Sequence, residues 1–191
     1  MVDESLIRNT IAAGCLEKVT IRRVISQIDS AGLAGADAVL VTCSSIGDAV
    51  TTAAGLFDFP VIRVDDAMAQ KAVGLGDRVG VLATLRTTLE PTTTLVKKMA
   101  SKLGPARQIT VVDMLCDGAF DAVMAGDGAV HDSIVRAALL DLMKRVDVVV
   151  LAQASMARVL GSMDPKSLIV PVLSSPELAV QRVGEVLRAR S

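Results

Sequence analysis

Short apolar segments alternate along the chain with segments whose apolar residues recur at helical spacing, as Ile21, Val24, Ile25 and Ile28 do. Parallel strands need a long crossover between them, and a helix is the usual one. The alternation therefore predicts an α/β fold with parallel sheets flanked by helices and right-handed crossovers. The predicted strands lie at 38–42, 59–64, 78–83, 108–113, 146–151 and 168–173.

The composition supports a folded, core-rich protein and argues against nucleic-acid binding. Hydrophobic residues make up 51% and charged residues 21% of the 191 positions, which is unlike a disordered chain. Aromatic residues account for only 2%, without Trp or Tyr, so the platforms on which bases stack are missing. The net charge is −1 and no basic stripe stands out, so we expect no nucleic-acid partner.

The cysteine pattern and the hydropathy pattern together predict a cytoplasmic protein that does not enter a membrane. The chain has an odd number of cysteines without Cys-x-x-Cys spacing, namely Cys15, Cys43 and Cys116. This pattern favours free thiols in a reducing compartment. No apolar run reaches the ~18 residues of a membrane span, and the N-terminus has no signal pattern. With His131 as the one histidine, we expect no metal site.

Residues 38–47 carry the lead candidate for catalysis. The apolar run at 38–41 ends in Thr42-Cys43-Ser44-Ser45, and a helix is predicted directly after it. In open α/β sheets, ligands bind at the carboxyl ends of strands, where Cys43 is expected. The positive end of a following helix favours the thiolate form of a cysteine. Cys43 is therefore predicted to be a catalytic residue.

Two parts of the chain match each other at a nearly constant offset, which predicts a duplicated α/β lobe. The turns at 42–45 and 152–155 then face each other across a cleft that holds the site. The alternative is a coincidental match in a sequence rich in Ala, Val and Leu. The matched pairs are 39–45 with 149–155, 60–62 with 171–173, 2–3 with 112–113 and 13–14 with 125–126.

The repeat also predicts the domain limits. Residues 1–75 form a first lobe, residues 76–165 form a second lobe, and 166–191 supply a last strand and C-terminal helix equivalent to 57–75. By this alignment the first lobe lacks an opening strand and helix of about 30 residues, so the chain is expected to start late. An open sheet edge invites partners, which predicts a homo-oligomer.

Four segments give the sequence a resemblance to the aspartate/glutamate racemase superfamily, which includes hydantoin racemases, maleate isomerases and arylmalonate decarboxylases. The resemblance implies two pseudo-symmetric lobes, a cofactor-free site and a small carboxylate or amino-acid-like substrate. It also implies one cysteine from each lobe, so that one thiolate removes the α-proton and the opposite thiol returns a proton. The segments lie at 39–45, 79–84, 149–156 and 170–180.

The second cysteine of that pair is replaced in this sequence. Cys43 matches the first cysteine, and Gln153 stands at the position of the second. An amide cannot exchange a proton near neutral pH, so strict two-base racemisation is not expected. The first hypothesis is a racemase/isomerase-like enzyme that uses Cys43. A one-cysteine decarboxylase or covalent isomerase, and a non-catalytic small-molecule binding protein that keeps the cleft, are the alternatives.

Neutral hydrogen-bond donors surround the two turns, and no Lys or Arg belongs to the motifs. Hydroxyl groups and free amides at helix starts suit a carboxylate or an enolate. Thr84 ends its own strand at the same edge, with Thr87 and Thr88 close behind. The predicted substrate-binding residues are Thr42, Ser44, Ser45, Thr84, Ala154 and Ser155.

Four other polar or reactive residues are predicted to have structural roles and not to take part in the site. Ser174 and Ser175 are expected to cap the C-terminal helix, because the last strand leads into it. Cys116 is expected to pack in the core and not to serve as a second thiol. His131 lies at a polar helix start and is expected on the surface.

Overall fold

The computed structural model describes residues 1–190 and contains two parallel sheets. In the first sheet, β1 (Val39–Val41) pairs with β2 (Val61–Arg63). The second sheet has four parallel strands in the order β4-β3-β5-β6. The predicted α/β fold with parallel sheets is therefore confirmed. The strands of the second sheet are β3 (Arg78–Ala83), β4 (Thr110–Leu115), β5 (Val148–Leu151) and β6 (Val172–Ser174).

Helices connect the strands. Short 3-10 turns at Ser44–Ile46 and Ala154–Met156 follow β1 and β5, and a third lies at Pro165–Ser167. Within the described chain, no helix has the combined length and hydropathy needed to cross a membrane. The helices are α1 (Glu4–Ala13), α2 (Lys18–Leu33), α3 (Gly47–Ala53), α4 (Asp66–Leu75), α5 (Arg86–Ser101), α6 (Ala119–Met124), α7 (Gly128–Leu142), α8 (Ala157–Gly161) and α9 (Ser175–Arg188).

Some predicted boundaries differ from the observed ones. The last strand, predicted to begin at 168, begins four residues later, at Val172 of β6. β4 begins two residues late, because its pairing with β3 begins at Thr110. Helix and strand ends depend on tertiary packing, which local patterns record poorly.

The core of the protein lies on both faces of the second sheet. Val79 and Val81 of β3 belong to one apolar cluster, whereas Leu82 belongs to the cluster on the opposite face. Successive side chains of a strand point to opposite faces, so a sheet covered on both sides needs continuous apolar strands. A third cluster, formed largely by α2 and α3, covers the first sheet. The carboxyl ends of the strands are thereby held in place.

Cys116 and His131 are both buried, although only Cys116 was predicted to be. Cys116 is confirmed as a core residue: it is 2% exposed, and burial raises the pKa of its thiol to about 12. The surface assignment of His131 is wrong, since this residue is 1% exposed. His131 shares the buried face of α7 with Val135 and Leu139, and its Nδ1 lies 2.8 Å from Asp132 Oδ1. The sequence prediction followed the polar neighbours of His131 and overlooked that His131, Val135 and Leu139 are spaced four residues apart.

Candidate active site

The turns that follow β1 and β5 have nearly the same local structure. Cys43 adopts φ −126° and ψ 115°, and Gln153 adopts φ −126° and ψ 135°. Each residue precedes a 3-10 turn of three residues and then a short α-helix. The strands before them are also paired alike, Val39 with Val61 and Val149 with Val172. The sequence repeat is thus matched by a repeat in local backbone structure.

Both turns line one cavity of about 190 Å³. Among the residues that the structure describes, no charged side chain lines this cavity. A space of this size admits a small ligand, because sites for drug-sized molecules measure roughly 300–1,000 Å³. Of the predicted site residues, those in the cavity wall are Thr42, Cys43, Ser44, Ser45, Gln153, Ala154 and Ser155.

Thr84 contacts the site through Gln153 and does not itself line the cavity. The Gln153 side-chain oxygen accepts hydrogen bonds from the Thr84 backbone nitrogen at 2.6 Å and from the Thr84 hydroxyl at 3.0 Å. Gln153 Nε2 donates to the same hydroxyl at 2.8 Å. A backbone N–H can only donate, so it fixes which end of the amide is the oxygen. Gln153 is therefore held in one orientation, with one Nε2 hydrogen not engaged by Thr84.

A second pair of polar side chains joins the two halves of the site. The hydroxyls of Ser45, in the turn after β1, and Thr88, in α5, lie 2.8 Å apart. Both residues are buried and both line the cavity. Thr88 was expected near this edge, and the structure places it in the cavity wall. Thr87 is not in the wall.

A buried ion pair lies behind the turn that carries Cys43. Arg63 Nε and Nη2 each lie 3.0 Å from a carboxylate oxygen of Asp65, and Asp65 is fully buried. Desolvation lowers the pKa of Arg63, but the hydrogen bond and charge of Asp65, together with the charges of Asp66 and Asp48, outweigh it and raise the pKa overall. A Cβ added to Gly47, the first residue of α3, would overlap this guanidinium. Arg63 therefore packs against the backbone that follows the Cys43 turn.

The predicted capping role of Ser174 and Ser175 is wrong for both hydroxyls. Ser174 is the N-cap residue of α9, but its side chain makes no capping hydrogen bond. Ser175 is 1% exposed, and its hydroxyl has no hydrogen-bond partner within the described chain. It lines the cavity instead. The available sequence signal was its position directly after a strand, at the same edge as Gln153.

Several other groups lie away from this cavity. Cys15 is exposed, and neither Cys15 nor Cys116 lines the cavity. Over residues 1–190, no three His, Cys, Asp or Glu side chains come together in a way that could hold a metal ion. The uncharged donors around Cys43 and Gln153 are therefore the groups that can bind a ligand in this cavity.

A larger cavity of about 490 Å³ borders the free edge of β1. It is lined mainly by apolar residues of β1 and α2, together with residues 1–4 at the start of the chain. Thr42 and Cys43 line both cavities, but Gln153 lines only the smaller one. Within the described residues β1 pairs with β2 alone. We take the smaller cavity as the candidate site because both equivalent turns meet in it.

Comparison with known proteins agrees with this architecture. A glutamate racemase isoform from Bacillus anthracis matches with a TM-score of 0.69 and 22% identity, over 90% of this chain and 66% of that chain. The allantoin racemase from Klebsiella pneumoniae matches with a TM-score of 0.70 and 19% identity, over 91% and 69%. An arylmalonate decarboxylase matches with a TM-score of 0.56 and 14% identity, over 87% and 75%.

The chain spans about two thirds of the length of the two racemases, and at these identities the likeness shows the fold. A comparison with curated proteins gives no match. The family model described as Asp/Glu/Hydantoin racemase, however, matches residues 4–183, which is nearly the whole chain. This protein therefore belongs to the Asp/Glu/hydantoin racemase family.

Proposed function

We propose that this protein is a cofactor-independent, racemase/isomerase-like enzyme that uses Cys43 on a small carboxylate or amino-acid-like substrate. One observation carries the proposal: Cys43 and Gln153 line a single small cavity from two turns of matching local structure. Family membership supports a racemase- or isomerase-like reaction. The size of the cavity and its uncharged wall favour a small substrate bound by neutral donors.

The first step is removal of a proton from the carbon next to a carboxylate or carbonyl group. The Cys43 thiolate accepts that proton at Sγ, and the electron pair of the C–H bond delocalises onto the neighbouring oxygen. The free Nε2 hydrogen of Gln153 and the hydroxyls of the wall can donate hydrogen bonds to the developing negative charge. Donors that are fixed before the reaction stabilise such charge most effectively, and Gln153 is fixed by Thr84.

Gln153 limits the reaction to one-base chemistry. Its amide neither accepts nor releases a proton near neutral pH, so it cannot protonate the face opposite Cys43. The Cys43 thiol exchanges its proton with solvent and then returns a proton to the same face of the carbanion, which keeps the configuration. In a decarboxylation, the C–C bond breaks, CO₂ leaves, and the thiol protonates the carbanion before regaining a proton from water. In a covalent isomerisation, the thiolate adds to a double bond, rotation follows, and the thiolate leaves.

A non-catalytic binding protein is the competing proposal from another class. The observation that favours it is that an amide, Gln153, held by hydrogen bonds to Thr84, occupies the place of a second acid/base group. Such a protein keeps the cavity and its donors but needs no reactive thiol. Chemistry that depends on Cys43 separates the two proposals.

The test is incubation in deuterated water, followed by proton NMR and chiral chromatography. The substrates are L-glutamate, L-aspartate, allantoin and a monosubstituted arylmalonate, chosen from the description of the family and the names of the similar structures. We expect deuterium at the α-carbon with retention of configuration, or CO₂ loss with deuterium uptake, for at least one of them. Cys43→Ser should abolish this signal, whereas Cys15→Ser, which alters an exposed thiol outside the cavity, should not.

Two outcomes contradict the proposal. Exchange that persists in Cys43→Ser assigns the chemistry to another group. An absence of exchange and of decarboxylation with all four compounds, while they still bind, supports the non-catalytic alternative. Deuterium uptake with inversion in the wild-type protein overturns the one-base mechanism but keeps the enzyme assignment.

A further inference from the structure

We propose that the Ser175 hydroxyl and the first turn of α9 form the subsite that binds the carboxylate of the ligand in this cavity. The inference rests on the proposed function for the identity of the anion, because a carboxylate substrate is part of that proposal. It adds a residue and a binding orientation that the motifs around Cys43 do not contain. The subsite lies on the Gln153 side, because Ser174 at the end of β6 is paired with Leu151 at the end of β5.

The first observation is the unpartnered hydroxyl of Ser175. The residue is 1% exposed, its Oγ has no hydrogen-bond partner within residues 1–190, and it lines the cavity. Buried hydroxyl groups nearly always have a partner, because an unmatched one forfeits its hydrogen bonds to water. A ligand oxygen in the cavity would supply that partner.

The second observation is the start of α9, a helix of 14 residues. The first amides of a helix have no acceptor within the helix, and together with the helix dipole they favour an anion. The N-cap residue Ser174 leaves them uncapped by its side chain, and Pro176 contributes no N–H. Glu177 in the same turn is exposed, bonds to Gln181 at 3.2 Å, and does not line the cavity.

The opposite side of the cavity lacks this hydroxyl. Val64 follows β2 as Ser175 follows β6, and it occupies the equivalent place 111 residues earlier in the chain. Val64 is buried and also lines the cavity, with Ile7 as a further apolar residue of the wall. A ligand with one carboxylate and one apolar substituent would therefore place the carboxylate at Ser175 and the substituent near Val64. The asymmetry between these two positions sets the orientation.

The groups of the subsite also select the kind of ligand. A hydroxyl and the uncapped helix amides are donors, so they need an acceptor, and the helix start prefers a negative one. Since no charged side chain of the described chain lines the cavity, no basic residue there attracts the anion elsewhere and no acidic residue competes with it for the donors. The chemistry therefore points to a carboxylate and not to an ammonium group.

The test uses malonate as the probe and malonamide as its neutral counterpart, with the ¹⁵N-labelled full chain followed by NMR. We expect malonate at millimolar concentration to shift the backbone amides of Ser175, Glu177 and Leu178, and malonamide to leave them unchanged. Ser175→Ala should weaken malonate binding about tenfold or more, as expected for loss of a hydrogen bond to a charged group. Ser174→Ala is the matched control and should bind as the wild type does, because Ser174 does not line the cavity.

The unfolding midpoint separates a binding role from a structural one. Ser175→Ala removes a hydroxyl that has no partner, so its midpoint should not fall below that of the wild type. A lower midpoint with unchanged malonate affinity assigns Ser175 a structural role and overturns the inference. No malonate binding at millimolar concentration, or equal binding of malonamide, overturns it as well.

Failure of this inference is distinguishable from failure of the proposed function. Cys43→Ser should lose exchange chemistry and still bind malonate through Ser175. Ser175-dependent binding without any exchange in the wild type would uphold the subsite and contradict the catalytic role of Cys43. Cys43-dependent exchange with unaltered malonate binding in Ser175→Ala would uphold the catalytic role of Cys43 and overturn the Ser175 subsite.

Discussion

The side-chain oxygen of Gln153 lies 2.6 Å from the backbone nitrogen of Thr84, and the two residues are 69 positions apart in the chain. This bond joins the residues that follow β5 and β3, two neighbouring strands of the second sheet. It uses the amide as an acceptor and orients Nε2 at the same time. The residue at the place of a second acid/base group is therefore a fixed hydrogen-bond donor, which accounts for the one-base mechanism proposed above.

Gln153→Cys should introduce inversion. The repeat predicts that the turns of Cys43 and Gln153 face each other, so the new thiol is expected opposite Cys43, which would give each face of a planar carbanion its own acid/base group. A compound that the wild type exchanges with retention should then become racemic in deuterated water, as followed by chiral chromatography. Gln153→Ser is the control, because its hydroxyl does not ionise near neutral pH. Exchange with retention alone in Gln153→Cys would contradict the predicted opposed arrangement of the two turns.

The three cysteines should differ in their reaction with iodoacetamide. Cys116 should not be alkylated in the native protein, because it is 2% exposed and burial raises the pKa of its thiol to about 12. Cys43 should react faster than the exposed Cys15, since the proposed chemistry needs a thiolate at that position. Peptide mass spectrometry over a time course gives the three rates. A Cys43 rate no higher than that of a free peptide thiol would contradict the reactive thiolate.

The sequence was most informative where the determining interactions are local. The apolar runs and the repeat predicted β3 to the residue and placed Cys43 and Gln153 at equivalent turns, because strand patterning and turn sequence are short-range properties. Ser175 was misassigned because its role depends on a cavity wall assembled from distant segments. His131 was misassigned because the burial of α7 depends on what packs against it.

Contacts between individual side chains that are distant in the chain could not be predicted from the sequence either. The bond between Gln153 and Thr84 and the contact between Ser45 and Thr88 join positions 69 and 43 residues apart. No periodicity or spacing rule selects such partners from a chain that contains many other Ser and Thr residues. A motif therefore located the site, whereas the hydrogen bonds that fix its side chains required the folded structure.

The contact between Ser45 and Thr88 should couple the two residues energetically. Ser45→Ala and Thr88→Val each leave a buried hydroxyl without its partner, which should lower the free energy of unfolding by about 1–3 kcal/mol. The double variant should cost less than the sum of the two, with an interaction energy of about 0.5–3 kcal/mol. Urea denaturation of the four proteins gives this value. Strict additivity would show that the hydroxyls do not interact in solution.

Gly47→Ala should destabilise the protein through Arg63. The added methyl group overlaps the guanidinium, which cannot move away without losing its two hydrogen bonds to the buried Asp65. Insertion of a methyl group into a well-packed site costs about 1–3 kcal/mol, and loss of the ion pair would add to this. Gly55→Ala is the control, because a Cβ at Gly55 meets no atom within 4 Å. Since α3 follows the Cys43 turn directly, Gly47→Ala should also slow alkylation of Cys43. Equal stability of Gly47→Ala and Gly55→Ala in urea denaturation would refute the role of Arg63 in holding this turn.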